Sequence, residues 1–248
     1  MHHLGSTRSS AKPHYLLQTP DTFIRSPLPG AAGVEFIIHA SPQLGARFTQ
    51  MTAEFSAGSS LDGGEWQRFL YVLDGRLELK AGGKRHPLAP GKFAYLPQGT
   101  EHTVSARGMA RAAVIEKPYE PQRGAGSAEL LVGDESTVKA APVMDDDALR
   151  VRALMPGGPQ YDFAVNVLTY DPGASLPMVE IHVMEHGLLM LEGGGIYRLG
   201  DDWLPVHAGD FIWMSAFCPQ WFGALGKRPA KYLLYKDWNR HPLEAEVK

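Results

Sequence analysis

The 248-residue sequence predicts an all-β protein built as two tandem barrels behind an N-terminal arm. Two observations predict it. The first is punctuation: 27 glycines and 19 prolines are spread along the chain, giving turn signals about every eight to twelve residues. Between them lie short runs rich in β-branched, aromatic and leucine residues: Phe69–Leu73, Leu77–Lys80, Phe93–Leu96, Phe163–Leu168 and Phe211–Met214. Short runs between turns are the pattern of a sandwich or barrel, and no long stretch carries a helical period. The second is an internal repeat. Leu73-Asp-Gly75 recurs as Leu191-Glu-Gly193, and Ala89-Pro-Gly91-Lys-Phe93 recurs at the same offset as His207-Ala-Gly209-Asp-Phe211. Upstream, Phe55-Ser-Ala-Gly58 matches Tyr170-Asp-Pro-Gly173, with three more residues in the second copy before its Leu-Glu-Gly turn.

Taken in order, residues 1–34 read as the arm. Segments around Pro13 to Pro20 and Ser26-Pro-Leu-Pro29 are not expected in a central strand, because proline lacks the ladder N–H. Residues 35–124 form the first barrel. Residues 125–155, small and partly acidic, form a linker with a strand near Leu130 to Val132. Residues 156–242 form the second barrel.

Bulk chemistry excludes several functions. The net charge of −3 and the lack of a basic stripe argue against nucleic acid. No apolar run reaches the roughly 18 residues that span a membrane. Cys218 is the single cysteine, so no intrachain disulfide forms, which fits a reducing compartment. The polar start, with His2 and His3, is read as an unstructured lead rather than a metal site. A soluble, cytoplasmic protein is expected.

From Gly91 the chain runs five residues to Pro97, then Gly99 and His102. This spacing resembles the second motif of the cupins. The first cupin motif is an HxH pair, a Glu, and a Gly seven residues after that Glu. The resemblance covers residues 35 to 240, once per copy, and implies a bicupin: two tandem cupin (double-stranded β-helix, or jelly-roll) barrels. In the first copy Arg68 stands where the Glu ligand belongs, and the HxH positions fall near Asp62 and Gly64. Only His102 remains, and a cation at a ligand position repels a metal. This copy reads as structural, with a degenerate site or a second pocket from Asp62, Glu65 and His102 as the alternative. In the second copy the same count gives Glu180, His182, His186 and Gln220. Residues two apart on a strand share a face, so Glu180 and His182 are expected to point inward together. Two imidazoles and two oxygen donors suit Mn(II) or Fe(II), and zinc or nickel would also bind. Glu185, between the ligands, reads as structural. Cys218 has no activating base beside it and does not read as a nucleophile.

The second copy further resembles the (S)-ureidoglycine aminohydrolase family of bicupins. The residues that carry this are Glu180-Ile-His-Val-Met-Glu-His186-Gly187, Leu191-Glu-Gly-Gly-Gly-Ile-Tyr197, Pro205-Val-His-Ala-Gly-Asp-Phe-Ile-Trp-Met214, Pro219-Gln220-Trp221 and Tyr232-Leu-Leu-Tyr-Lys236-Asp237. The resemblance implies metal ligands at Glu180, His182, His186 and Gln220, with Mn²⁺ as the cofactor. It implies substrate binding at Tyr197 and Lys236; residue chemistry adds Glu180 and Gln220 as substrate contacts and Glu180 as the catalytic proton-transfer group, with Lys236 as the runner-up. The implied reaction turns a small-molecule ureide, (S)-2-ureidoglycine, into (S)-ureidoglycolate and ammonia in purine breakdown. Spacing alone leaves Tyr197 open between packing and binding, and Lys236 open between inward and outward facing. A cupin dioxygenase and a non-catalytic small-molecule-binding bicupin are the competing functions. A homo-oligomer is expected, with the arm free to add a strand to a neighbour.

Overall fold

In a computed structural model of the chain, described over residues 6–241, nearly all regular structure is strand. The helical parts are three single 3₁₀ turns, Pro20–Thr22, Pro42–Leu44 and Glu135–Thr137. No helix among the described residues is long and apolar enough to cross a membrane. Residues 1–5 and 242–248 lie outside the described residues, and with them His2, His3 and the last residue expected in the second barrel. The chain divides into two compact units. One holds Ile24–Val138 and Gly157–Asp162; the other holds Met1–Phe23, Lys139–Pro156 and Phe163–Lys248. The expected arm and linker are therefore each shared out between the units.

The first unit is organised by one 15-residue strand, Thr49–Gly63. Its first half pairs with Ala110–Lys117 and its second half with His102–Ala106. One strand thus serves both walls and closes the barrel over Phe55, Leu61, Leu70, Leu79, Val104 and Val114. Leu131–Asp134 pairs with Lys92–Leu96, so the strand expected in the linker is present and belongs to this unit.

The second unit packs an eight-stranded sheet against a three-stranded one. The large sheet runs Ser10–Lys12, Tyr15–Gln18, Phe211–Met214, His186–Glu192, Ala230–Asp237, Phe163–Tyr170, Asp146–Ala153 and Ala141–Val143. The small one runs Asp202–His207, Gly194–Leu199 and Gln220–Ala224. Leu188, Met190 and Tyr232 from the first meet Tyr197, Leu199 and Phe222 from the second in one core. The segment between Pro13 and Pro20 corrects the proline-based expectation. Its residues Tyr15–Gln18 lie between Ser10–Lys12 and Phe211–Met214 within the sheet. Both prolines fall outside the four paired residues, so no ladder amide is lost, and Tyr15 and Leu17 are buried in return. The arm adds its strand to the second barrel of its own chain.

Candidate metal centre

His186 opens the strand His186–Glu192, opposite Met214 on one side and Lys236 on the other. Leu188 and Met190 share its face and lie in the core, so the imidazole points into the barrel. Gln220 opens Gln220–Ala224, and Phe222 and Ala224 on its face are also core residues. Glu180 is tied to Gln220 by a two-bond backbone bridge, 2.8 and 3.0 Å. The expected strand through Glu180 and His182 is not formed. After the bridge the chain runs as a loop to His186, fixed by the Phe217 N–H donating to the His182 carbonyl at 2.7 Å.

Three side chains meet here. His182 Nε2 lies 3.2 Å from His186 Nε2 and 2.8 Å from the Gln220 amide nitrogen. Each Nδ1 faces a backbone carbonyl at 3.2 Å, Met184 for His182 and Tyr235 for His186. A carbonyl only accepts, so both Nδ1 atoms carry the proton and both Nε2 atoms present lone pairs. Burial pushes His186 down to about 3, with the neighbouring His182 and the Lys236 charge acting the same way, so this imidazole is neutral. Gln220 donates to one lone pair, but the two Nε2 atoms still face each other without a proton. A divalent cation held by these lone pairs would relieve that repulsion, and the backbone carbonyls supply the outer support that orients metal-binding histidines. The donor chemistry fits a divalent metal. Glu180 stands apart from this trio. Among the described residues no three His, Cys, Asp or Glu side chains gather as a metal-binding group. Burial raises the phenols of Tyr170, Tyr197 and Tyr232, with Glu180 adding to it in the same direction, and Glu180 favours the charged form of Lys236 against the effect of burial.

Tyr197 faces inward, fully buried, with its hydroxyl donating to the Gln220 amide oxygen at 3.4 Å. Behind it stand two phenols that sequence reasoning missed. The Tyr170 and Tyr232 hydroxyls are 2.7 Å apart, and both rings pack on Phe222, as does the Tyr197 ring. Tyr232 had a signal: it lies an even number of residues before Lys236 on one strand, hence on the same face. Lys236 is in register with His186 and therefore points into the barrel, which settles its facing. Burial lowers its pKa, opposed by Glu180. Its Nζ lies 4.0 Å from the centroid of the Trp238 ring. Glu185 is structural, as expected: its backbone N–H donates to Asp237 at 2.8 Å and its carboxylate accepts from the Trp213 indole at 3.2 Å. Cys218 is buried and its thiol is pushed up by desolvation, the opposite of an activated nucleophile.

The first barrel has a guanidinium at the matching place. Arg68 donates to His102 Nε2 at 2.8 Å, to Glu116 at 2.6 Å and to the Asp62 carbonyl at 3.2 Å. The pocket is full: a Cβ on Gly63 would lie 2.5 Å from both Arg68 Nη1 and His102 Nε2. Asp62 and Glu65 are exposed and the Asp62 carboxylate accepts from Thr103; Asp62 and His102 line one open cavity, but with Glu65 they form no metal-binding group among the described residues.

A Cupin domain family model matches the chain twice, at residues 49–116 and 166–235. A probable (S)-ureidoglycine aminohydrolase of Oryza sativa subsp. japonica is 40% identical over 244 residues, covering 96% of this chain and 78% of that protein. The (S)-ureidoglycine aminohydrolase of Arabidopsis thaliana is 38% identical, with 96% and 80% covered. Among solved structures, the putative glyoxylate induced protein of Pseudomonas aeruginosa superposes with a TM-score of 0.88 at 31% identity, covering 97% of this chain and 94% of that one. The chain therefore belongs to the (S)-ureidoglycine aminohydrolase family, a family of enzymes within the cupin fold.

Proposed function

We propose that this enzyme hydrolyses (S)-ureidoglycine to (S)-ureidoglycolate and ammonia in the second barrel, with Mn(II) as the resident metal and Fe(II), zinc or nickel as metals the same donors suit. The observation that carries the reading is the meeting of His182 Nε2, His186 Nε2 and Gln220 in the barrel that the inward Lys236 also faces. With Glu180, these three are the residues to hold the metal, which when bound supplies Lewis-acid polarisation of the substrate's polar groups.

The remaining chemistry belongs to the side chains. The Lys236 ammonium binds the substrate carboxylate, and a charge-assisted bond of this kind contributes roughly 1.5–3 kcal/mol. Tyr197, whose hydroxyl is held against Gln220, orients the ureido group. In the reaction the bond from the central carbon to the amine breaks and an oxygen from water bonds to the same carbon. The water loses a proton and the departing amine gains one. Glu180 is assigned that transfer, as a carboxylate whose charge is already sensed by Lys236 and the phenols. Lys236 is the alternative base. The cytoplasmic setting, the homo-oligomer and the role in ureide breakdown belong to the same proposal.

The test compares metal-stripped and Mn-reconstituted protein on freshly generated ureidoglycine. Ammonia release should need the metal, and His182→Ala or Gln220→Ala should lose metal and turnover together. Release no faster than spontaneous decay, with metal at full occupancy, contradicts the substrate assignment.

A further inference from the structure

We propose that Trp238 is a positioning residue of this site, whose ring face holds the Lys236 ammonium aimed at the substrate carboxylate with its N–H donors uncommitted; this rests on the hydrolase reading above. Lysine carries its charge on a flexible four-carbon stem, so an inward Lys must be held if it is to be aimed. A carboxylate partner would hold it but would consume its donors. Among the described residues Lys236 forms no such ion pair; its close partner is the Trp238 ring, 4.0 Å from Nζ. An aromatic face attracts the cation and leaves the N–H groups free.

The surroundings fit this role. Lys236 sits between Ala164 and His186 on the neighbouring strands. The charge that acts on it is Glu180, through space rather than through a hydrogen bond. Trp238 is placed by the residue before it. Asp237 ends the strand with its carboxylate accepting the Glu185 N–H at 2.8 Å. The next residue, Asn239, takes a left-handed turn at φ 54°. Alternation puts Asp237 on the outer face and brings Trp238 back to the side of Lys236.

The experiment places fluorinated tryptophans at position 238 of the metal-loaded enzyme. Each fluorine weakens the ring's hold on a cation while the ring's shape barely changes. KM for ureidoglycine should climb stepwise along the series, by roughly 3- to 30-fold at its end, with kcat within about twofold. Trp238→Leu should match the weakest ring, and Trp238→Phe should recover part of the loss, because tryptophan binds cations best. The Lys236 methylene resonances of the wild type should also be shifted upfield by the ring, and that shift should vanish in Trp238→Leu. A flat KM across the fluorinated series, or no ring shift on Lys236, overturns the proposal. If the wild type proves inactive on ureidoglycine, the hydrolase reading fails by itself. Glycolate titrated against the Lys236 resonance then tests the carboxylate receptor: affinity that tracks ring fluorination supports it, and affinity that does not overturns it.

Discussion

Replacing Arg68 with alanine should unfold the first barrel at a markedly lower temperature and leave second-barrel chemistry alone. The Arg68 side chain is 7% exposed and its partner Glu116 19% exposed. The substitution removes a 2.6 Å ion pair, a 2.8 Å bond to His102 Nε2 and a 3.2 Å bond to the Asp62 carbonyl. Breaking a buried pair by removing one partner costs about 3–5 kcal/mol, because a charge is left unpaired. Glu116 reaches some water, so the lower end, about 3 kcal/mol, is expected. In a unit of this size that lowers Tm by about 10 °C. Scanning calorimetry measures it, with ammonia release at 25 °C and metal content as controls. The paired change Arg68→Leu with Glu116→Leu should recover at least half of the loss, since it leaves no orphaned charge. An unchanged Tm in Arg68→Ala, or two metal ions per wild-type chain, would refute the idea that a guanidinium stands in for a metal here.

Three further outcomes follow from the same structure. Burial pushes His39 down to about 3, so between that value and 6.5 the unfolded chain takes up a proton the folded chain refuses; stability should fall with falling pH by about 1.4 kcal/mol per unit over that window. Denaturant unfolding at pH 5 and pH 7 should give a smaller difference in His39→Gln than in the wild type, and equal differences would contradict the assignment. Asp162 is fully buried and accepts from Gln67, Lys117 and the Glu120 N–H at 2.7, 2.7 and 2.9 Å; Asp162→Ala should cost about 3 kcal/mol in the same unfolding assay, since Lys117 keeps Glu120. Lys236→Met should lower kcat/KM for ureidoglycine about ten- to hundredfold, the size of a lost charge-assisted bond, and unchanged kinetics would remove Lys236 from the site.

Much of this was legible in the residues. The repeated turn glycines carried the two barrels, and the motif count located Arg68, the guanidinium that occupies the matching place in the first barrel. What escaped depended on contacts distant in sequence. Tyr15 and Leu17 hide a strand between two prolines, and nothing local reveals that Phe211–Met214 awaits it. Glu180 and His182 looked like a strand pair, yet the Phe217 bond to the His182 carbonyl holds that stretch as a loop. Tyr170, Tyr232 and Tyr197 come from three strands, and only packing around Phe222 brings their rings together. Trp238 lies beyond the last apolar residue of its strand, where pattern reading stops.

Turnover of ureidoglycine by the Mn-loaded protein in ¹⁸O-labelled water tests the hydrolysis itself. Hydrolysis in the second barrel should give one ammonia per product and ¹⁸O in the new hydroxyl of (S)-ureidoglycolate alone. A racemic product formed at the rate of spontaneous decay would contradict it.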